Sequence, residues 1–243
     1  MNQILVTEKL YVTPELKRKK KLYKFCFIMS ILIIIILTSL YVYATYDRNK
    51  SEEISKDLLS EITVQTENNI ERAIAIENEE DKVWKIIIST IEDVPFEEPD
   101  YIINKMTITS NGKEYEAVGT INIPKINVNY PILADTSVEL LKISPCKFYG
   151  PEPNEVGNLC IAGHNYKTDQ FFSKVLDLVV GDVIEITDVS GRALKYSVYD
   201  KYEVVPEDTS CTNQNTNGKK IITLITCTND NKMRVIVHAK EIE

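Results

Sequence analysis

The sequence predicts a mostly β domain of seven or eight short strands that follows one membrane helix and a helical stalk. From residue 101 onward, short runs rich in β-branched residues alternate with turn residues, and helical patterns are few. Such spacing favours a closed β-barrel or a sandwich and does not choose between them. Two further observations, an uncharged run near the N-terminus and an acidic segment without glycine after it, predict the two helical parts.

Residues 25–44 contain no charged side chain. A helix rises about 1.5 Å per residue, so these residues cover the roughly 30 Å hydrocarbon core of a bilayer. A helix that packs on a soluble core keeps one polar face, and this run has none. The sequence therefore predicts a transmembrane signal-anchor helix over residues 25–45.

The charges on either side of this run predict its orientation. Residues 1–24 carry seven basic and two acidic groups, whereas acidic groups soon dominate after the run. Basic residues stay in the cytoplasm, so residues 1–24 are expected to form a cytoplasmic tail and the rest of the chain to lie outside the cell. A cleaved signal peptide is the alternative, because Val42-Tyr43-Ala44 resembles a cleavage site. The run exceeds the roughly 7 to 15 apolar residues of a signal peptide, which favours an uncleaved anchor.

Residues 46–100 read as an acidic, largely helical stalk or linker. Ser51 is a plausible helix cap, and Ile54, Leu58 and Ile62 recur at helical spacing. The far end of this helix, residues 83–91, is a candidate for docking on the domain that follows. Residues 51–100 hold fifteen acidic and four basic groups, a net charge of −11 against −8 for the whole chain. This acidity argues against nucleic acid as a partner and against close adhesion to an anionic membrane.

Residues 101–243 are predicted to form the barrel or sandwich. Asn111-Gly112, between two short runs that end and begin at residues 109 and 113, is typical of a hairpin with a type I′ turn. The remaining strand candidates are residues 119–124, 128–133, 158–162, 182–187, 194–205, 221–227 and 233–242. Short helical pieces are expected at residues 138–143 and 171–178.

The most informative stretch runs from residue 221 to residue 238, where two β-branched runs flank a turn at residues 229–232. If the loop is centred on residues 230 and 231, Cys227 faces Arg234 with Cβ atoms about 4.5–5.5 Å apart. A guanidinium favours a neighbouring thiolate and can bind an oxyanion. Taken alone, such a cysteine is more often a buried, inert residue, and such an arginine is more often a solvated surface group.

The other cysteines indicate no metal site. The chain has five cysteines and no C-x-x-C pair, so zinc has no ligand set. Cys26 lies in the apolar run, whereas Cys146, Cys160 and Cys211 lie in the part expected outside the cell, where disulfides are permitted. The sequence leaves open whether any two of these three are bridged.

Several motifs together resemble those of the sortases. Thr223-Leu-Ile-Thr-Cys227 resembles the family's T-L-x-T-C signature, and Arg234 matches its active-site arginine. Leu159-Cys-Ile-Ala-Gly-His164 is similar to the family's strand that ends in A-G-H. Residues 119–126, Tyr130-Pro-Ile132, Phe171-Phe172 and residues 181–186 also resemble family segments in the right order. The resemblance covers about residues 113–243.

The resemblance implies a closed sortase-type barrel over residues 101–243 with a cysteine transpeptidase activity. Cys227 would be the nucleophile, His164 the general acid and base, and Arg234 the group that stabilises the oxyanion or the substrate. The other histidine, His238, lies roughly 13 Å along the strand from Arg234 and is expected to be non-catalytic. No metal ion and no organic cofactor is expected.

The implied substrates are secreted proteins with a C-terminal sorting signal, which is cleaved after a threonine and joined to an amine of a cell-wall peptide or peptidoglycan precursor. The enzyme would sit in the membrane of a Gram-positive type of cell. No Asp-Pro-aromatic lid precedes Gly119, and residues 206–220 contain no long insertion or obvious helix. The missing lid favours protein anchoring over pilin polymerisation, and the short loop speaks against class B, which leaves class D or a related class.

Two other functions remain as alternatives. A papain-like cysteine protease would need its cysteine at a helix start with the histidine downstream, whereas His164 precedes Cys227 here. A non-catalytic surface-binding protein on the same barrel is the second, and unreactivity of Cys227 toward thiol alkylators would distinguish it.

Overall fold

The computed structural model describes residues 14–87 and 105–242, with side chains of the first helix described at residues 14, 15 and 17–71. Two helices are present in these ranges, α1 (Pro14–Ile87) and α2 (Val138–Ile143), with single 3-10 turns at Pro124–Ile126, Val175–Asp177 and Ser210–Thr212. The strands are β1 (Met106–Ser110), β2 (Lys113–Ile123), β3 (Val128–Leu133), β4 (Cys146–Tyr149), β5 (Gly157–Ala162), β6 (Val183–Asp188), β7 (Ala193–Val204), β8 (Lys220–Cys227) and β9 (Arg234–Glu241).

Eight of these strands close into a barrel. Their order is β2-β3-β4-β5-β8-β9-β7-β6, and β6 pairs back onto β2. Strand β1 pairs with the first half of β2 and lies outside the ring. At Gly119, β2 leaves β1 and meets β6 so closely that an added Cβ would lie 2.2 Å from the carbonyl oxygen of Thr187. The prediction of a mostly β, closed barrel with few helices is confirmed.

The barrel interior is filled by aliphatic and aromatic side chains that alternate along the strands. On β9, Val235, Val237 and Ala239 belong to this core. Because successive side chains of a strand point to opposite faces, Arg234 and His238 lie on the outer face. The same alternation on β8 places Cys227 on the outer face. The predicted active-site residues of this hairpin therefore lie on the outside of the barrel.

Helix α1 has no break at the predicted stalk. The helix is continuous through Ser51, so the prediction that Ser51 caps a new helix is wrong. By contact, the chain divides into two compact units, Met1–Asn49 and Lys50–Glu243. The first contains the apolar run, whose side chains are exposed, and among the described residues α1 is the helix with the length and hydropathy to cross a bilayer.

In the second unit, α1 packs on the domain through the predicted apolar stripe. Ile54, Leu58 and Ile62 are buried in a second cluster with residues of β1, β2 and β4. The Ser110 hydroxyl donates a 2.7 Å hydrogen bond to Asp57, which fixes β1 against the helix. The predicted docking of residues 83–91 lies outside the described side chains. Docking of the helix is seen instead over its earlier turns.

Most predicted barrel elements match the structure. Strand β3 and helix α2 have the predicted bounds, and Asn111 and Gly112 have φ of 51° and 73°, as a type I′ turn requires. Strand β4 was not predicted, because it has four residues and an irregular register with β5. The helical piece predicted at residues 171–178 is wrong in extent. Only Val175–Asp177 forms a single 3-10 turn there.

Candidate active site

The β8–β9 hairpin brings Cys227 and Arg234 together. The two residues are paired across the strands in the predicted register. Arg234 Nη1 donates a hydrogen bond of 3.2 Å to Cys227 Sγ. Thr228 closes the turn, since its hydroxyl donates to Asp230 at 2.6 Å and its backbone N–H to the Met233 carbonyl at 3.1 Å. A short turn tied in this way holds the thiol and the guanidinium side by side.

The parallel pairing of β5 with β8 brings His164 to the same end of the sheet. Ala162 is paired with Ile225 in a parallel register, and the Gly163 N–H continues it by donating to the Ile225 carbonyl at 3.0 Å. The Thr226 hydroxyl donates to the Gly163 carbonyl at 2.8 Å. Continued by two residues, this register sets position 164 against position 227. Neighbouring strands lie about 4.8 Å apart, so the backbones of His164 and Cys227 lie at the same end of the sheet.

Asn165 ties the histidine loop to the cysteine strand. Its Nδ2 donates to the Cys227 carbonyl at 2.9 Å and to Asn229 Oδ1 at 3.1 Å, and its Oδ1 accepts from the Lys167 N–H at 2.9 Å. Only 8% of Asn165 is exposed. The sequence prediction missed this residue. The sequence feature that could have indicated Asn165 is its position directly after the candidate histidine. An amide side chain is seldom buried without hydrogen-bond partners.

His164 is half-buried beside Tyr166, with ring centroids 5.2 Å apart. Burial lowers the pKa of His164, and the positive charge of Lys142 lowers this pKa further. Both effects disfavour the imidazolium ion in the free protein.

The loop after His164 is held to α1, because Gln170 donates a hydrogen bond to Glu52.

A cavity of about 320 Å³ extends from Arg234 along the outer face of the barrel. Its floor is formed by side chains of three strands, namely Ala162 on β5, Ile225 on β8 and Ile236 on β9. Its walls come from α2 and the segment before it, from β4 and from the loop between β7 and β8. They include Thr136, Leu141, Phe148, Pro206, Asp208, Thr209, Cys211 and Thr212. An apolar floor that ends at a guanidinium beside a thiol suits an extended peptide. We call this cavity the groove.

The structure separates Cys227 from the other cysteines. All five thiols are free. Burial raises the pKa of Cys146 and of Cys160 to about 12 in each case, and burial also raises the pKa of Cys211. Cys227 is partly exposed at the end of β8 and accepts the hydrogen bond from Arg234. Among the thiols of the barrel, it is the one with both access and a cationic partner.

The second histidine lies outside this constellation. His238 is in the middle of β9, where Nε2 is 2.9 Å from the Tyr202 hydroxyl and Nδ1 is 2.8 Å from the Thr223 hydroxyl. Burial lowers the pKa of His238. Over the part of the chain that the structure describes, no three His, Cys, Asp or Glu side chains are grouped as metal ligands.

Comparison with known proteins gives a consistent picture. The sequence model of the Sortase domain family matches residues 121–242. Sortase A of Bacillus anthracis is 30% identical over 125 residues, which is 50% of this chain and 58% of that protein. This chain thus spans somewhat more than half the length of that curated relative.

Solved sortase structures are also similar. The Sortase D5 transpeptidase of Clostridium perfringens is 35% identical, with 52% of this chain and 79% of that chain covered and a TM-score of 0.48. A lid mutant of Sortase A from Corynebacterium diphtheriae is 30% identical, with coverages of 54% and 73% and a TM-score of 0.49. The match of the family model to half of the sequence, together with the closed barrel, establishes that this chain belongs to the sortase family.

Proposed function

We propose that this protein is a membrane-anchored cysteine transpeptidase that joins secreted proteins to an amine of the cell wall. The observation that carries the proposal is the Cys227–Arg234 pair, joined at 3.2 Å, with Arg234 lining an apolar groove. A thiol and a guanidinium so placed can form and stabilise a tetrahedral intermediate of acyl transfer. Membership of the sortase family supports the same reaction class.

In the first half of the reaction, the Cys227 thiol passes its proton to neutral His164, and the resulting thiolate attacks the carbonyl carbon of the scissile peptide bond. The carbonyl electrons move to oxygen, and Arg234 donates hydrogen bonds to the oxyanion or to the substrate backbone. When the intermediate collapses, the carbon–nitrogen bond breaks and the His164 imidazolium protonates the departing amine. The product is a thioester between the substrate and Cys227.

In the second half, an incoming amine attacks the thioester. Neutral His164 takes a proton from this amine, and the carbon–sulfur bond breaks to restore the Cys227 thiolate. The proton balance closes, because the proton given to the first amine is recovered from the second. Asn165 supports the cycle by holding the histidine loop on the Cys227 carbonyl.

The proposed substrate is a C-terminal sorting signal that is cleaved after threonine. The groove supports an extended, largely apolar peptide, since its floor is made by Ala162, Ile225 and Ile236. The proposed acceptor is the amine of a cell-wall peptide or peptidoglycan precursor. A class D-like or related anchoring role is favoured, because the loop between β7 and β8 contains a single 3-10 turn and no inserted helix.

The proposed arrangement places residues 1–24 in the cytoplasm, residues 25–45 in the membrane, and residues 46–100 and the barrel of residues 101–243 outside. The basic residues before the apolar run support this orientation. We expect the full-length protein in the membrane fraction, with the barrel digested by external protease in intact protoplasts. A mature N-terminus at Thr45, read by Edman degradation or mass spectrometry, would instead indicate a cleaved signal.

The nucleophile is tested by Cys227→Ala with a sorting-signal peptide that carries a fluorophore and quencher. We expect no cleavage and no thioester adduct in the intact mass, with an unchanged circular dichroism spectrum. Cys146→Ala is the matched control, since it removes the same atom from a buried thiol beside α1 and should keep its kcat. Turnover by the Cys227 variant would end the transpeptidase proposal. A Cys227 thiol inert to iodoacetamide would favour a non-catalytic binding protein.

A further inference from the structure

A chain of hydrogen bonds on the outer face of the barrel connects four strands. The Tyr202 hydroxyl on β7 is 2.9 Å from His238 Nε2, and His238 Nδ1 is 2.8 Å from the Thr223 hydroxyl on β8. The Thr223 hydroxyl donates to Asn158 Oδ1 on β5 at 2.6 Å. Thr223 is fully buried and Asn158 is 3% exposed, so these contacts are screened from water.

With the His238 ring neutral, one arrangement of protons satisfies the whole chain. Asn158 Oδ1 can only accept, so the single hydroxyl proton of Thr223 is used there. Thr223 Oγ1 must then accept from His238, which places the ring proton on Nδ1. Nε2 is therefore unprotonated and accepts from the Tyr202 hydroxyl. The network selects one neutral tautomer of His238.

The far end of the network holds the wall of the groove. Asn158 Nδ2 donates to the carbonyl of Cys211 at 2.9 Å and to that of Asn213 at 3.2 Å. Gln214 reinforces the contact by bonding the Asn158 backbone, with Oε1 accepting at 3.0 Å and Nε2 donating at 2.9 Å. Cys211 lines the groove and belongs to the 3-10 turn Ser210–Thr212. Asn158 is thus the point where the loop between β7 and β8 is fastened to the barrel.

We propose that His238 is a positioning residue for substrate binding: by orienting Thr223 and Asn158, it holds the wall of the groove in the shape that the sorting peptide requires. This proposal rests on the proposed function for its substrate. His238 would touch neither the peptide nor the thiol, and it lies about 13 Å along β9 from Arg234. Its loss would weaken peptide binding and leave the chemical step unchanged.

Cys211 provides a probe of the wall that does not depend on catalysis. Cys211 is 6% exposed in the structure, and we expect its thiol to become accessible when the loop leaves the barrel. We would treat the full-length protein in detergent with N-ethylmaleimide and follow labelling of the Cys211 peptide by mass spectrometry. A hydrogen bond contributes about 0.5–1.5 kcal/mol, so His238→Ala should raise the Cys211 labelling rate about three- to tenfold. The labelling rate of Cys227 serves as the internal reference.

Two conservative variants distinguish the hydrogen bonds made by the two ring nitrogens of His238. In His238→Asn, the amide can replace Nδ1–H as the donor to Thr223, so we expect Cys211 labelling within about twofold of the wild type. In His238→Gln, the longer side chain reaches Tyr202 and loses Thr223, so its Cys211 labelling should match that of His238→Ala. Thr223→Val retains His238 and nearly the shape of the threonine side chain but removes the hydroxyl. It should raise Cys211 labelling as much as His238→Ala does, and it provides the test if His238→Ala fails to fold. Thr120→Val, on β2 away from the groove, is the matched control.

Kinetics with the sorting-signal peptide complete the test. His238→Ala should raise KM about three- to tenfold with kcat within about twofold, and His238→Asn should restore KM. Wild-type labelling of Cys211 in both His238→Ala and Thr223→Val would overturn the proposal and leave the proposed function intact. If no sorting peptide is turned over by the wild type, the proposed function fails, and Cys211 labelling still decides whether His238 holds the wall.

Discussion

The two histidines of this chain show how differently one side chain is used at two places in a barrel. His164 follows the end of β5 in a loop, with its ring against Tyr166. His238 lies in the middle of β9, with both ring nitrogens in hydrogen bonds to Tyr202 and Thr223. Burial lowers the pKa of both residues. The direction of a pKa shift therefore does not distinguish a proposed proton carrier from a structural donor, whereas the partners of the ring do.

The difference follows from the strand positions. A side chain in the middle of a sheet has neighbours on two flanking strands, which here satisfy both nitrogens of His238. A side chain at or just beyond a strand end has neighbours on fewer sides, which leaves more room for a substrate. Cys227 ends β8 and His164 follows the end of β5, so both occupy positions of this kind.

The comparison is tested most strongly by replacing each histidine with alanine. We expect His164→Ala to lower kcat about 10²- to 10⁴-fold, the range for a lost acid or base group, and His238→Ala to leave kcat within about twofold. Steady-state cleavage of a sorting-signal peptide measures both values. A large kcat loss in the His238 variant with none in the His164 variant would reverse the assignment.

Arg234 and His238 lie on one face of β9, and a lysine at Arg234 sharpens the contrast between them. If the planar guanidinium binds an oxyanion, the lysine ammonium cannot reproduce its geometry, and Arg234→Lys should lower kcat about 10²- to 10³-fold. Arg234→Ala is the reference for complete loss, and the alkylation rate of Cys227 should change much less than kcat. If kcat of the lysine variant stays within about fivefold of the wild-type value, the oxyanion role is wrong, and the positive charge accounts for the whole contribution of Arg234 to catalysis.

The smallest effect is expected in the pH dependence of stability. Because the folded-state pKa of His238 lies below its unfolded value near 6.5, neutral His238 favours the folded state above about pH 6.5. This contribution is lost as the pH falls from there through the folded pKa. Tyr199, Tyr202 and Asp200 face the ring, and Asp200 opposes the shift only in part.

His238→Asn removes the titrating group and keeps the donor to Thr223. We expect its free energy of unfolding, from urea titrations at pH 7.5 and pH 5, to fall less on acidification than that of the wild type. The remaining pH dependence belongs to other groups, including His164, whose pKa is also lowered. An equal fall in the free energy of unfolding of both proteins would mean that His238 does not contribute to the pH dependence of stability.

The parts of the fold that the sequence predicted correctly are mostly local. The β8–β9 register follows from a short turn between two regular strands, and the Asn111-Gly112 hairpin follows from residues that accept positive φ. The break assigned at Ser51 was wrong because a cap residue inside a continuous helix leaves the same local pattern. Strand β4 has too few residues to show alternation, and its pairing with β3 and β5 is set by distant chain segments.

The candidate site was predictable to a similar degree. Cys227 and Arg234 followed from one hairpin, whereas His164 depended on the family resemblance, because no local rule predicts a parallel β5–β8 pair. The buried amides Asn158 and Asn165 were missed, since their importance lies in carbonyl partners more than fifty residues away. An amide inside or directly after an apolar strand is the signal that such partners exist.

The parallel pairing of β5 with β8 also bears on when the protein becomes active during folding. Each paired residue is 63 positions from its partner, as Gly157 is from Lys220, so this contact is among the non-local ones of the barrel. Closure of so long a segment is slow compared with hairpin formation, and the β8–β9 hairpin needs no such closure. We therefore expect Cys227 and Arg234 to meet early, and the segment of His164 to reach β8 only after β6 and β7 have been made and placed. If His164 is the acid, as we propose, a chain whose barrel has not yet closed holds its thiol without its acid.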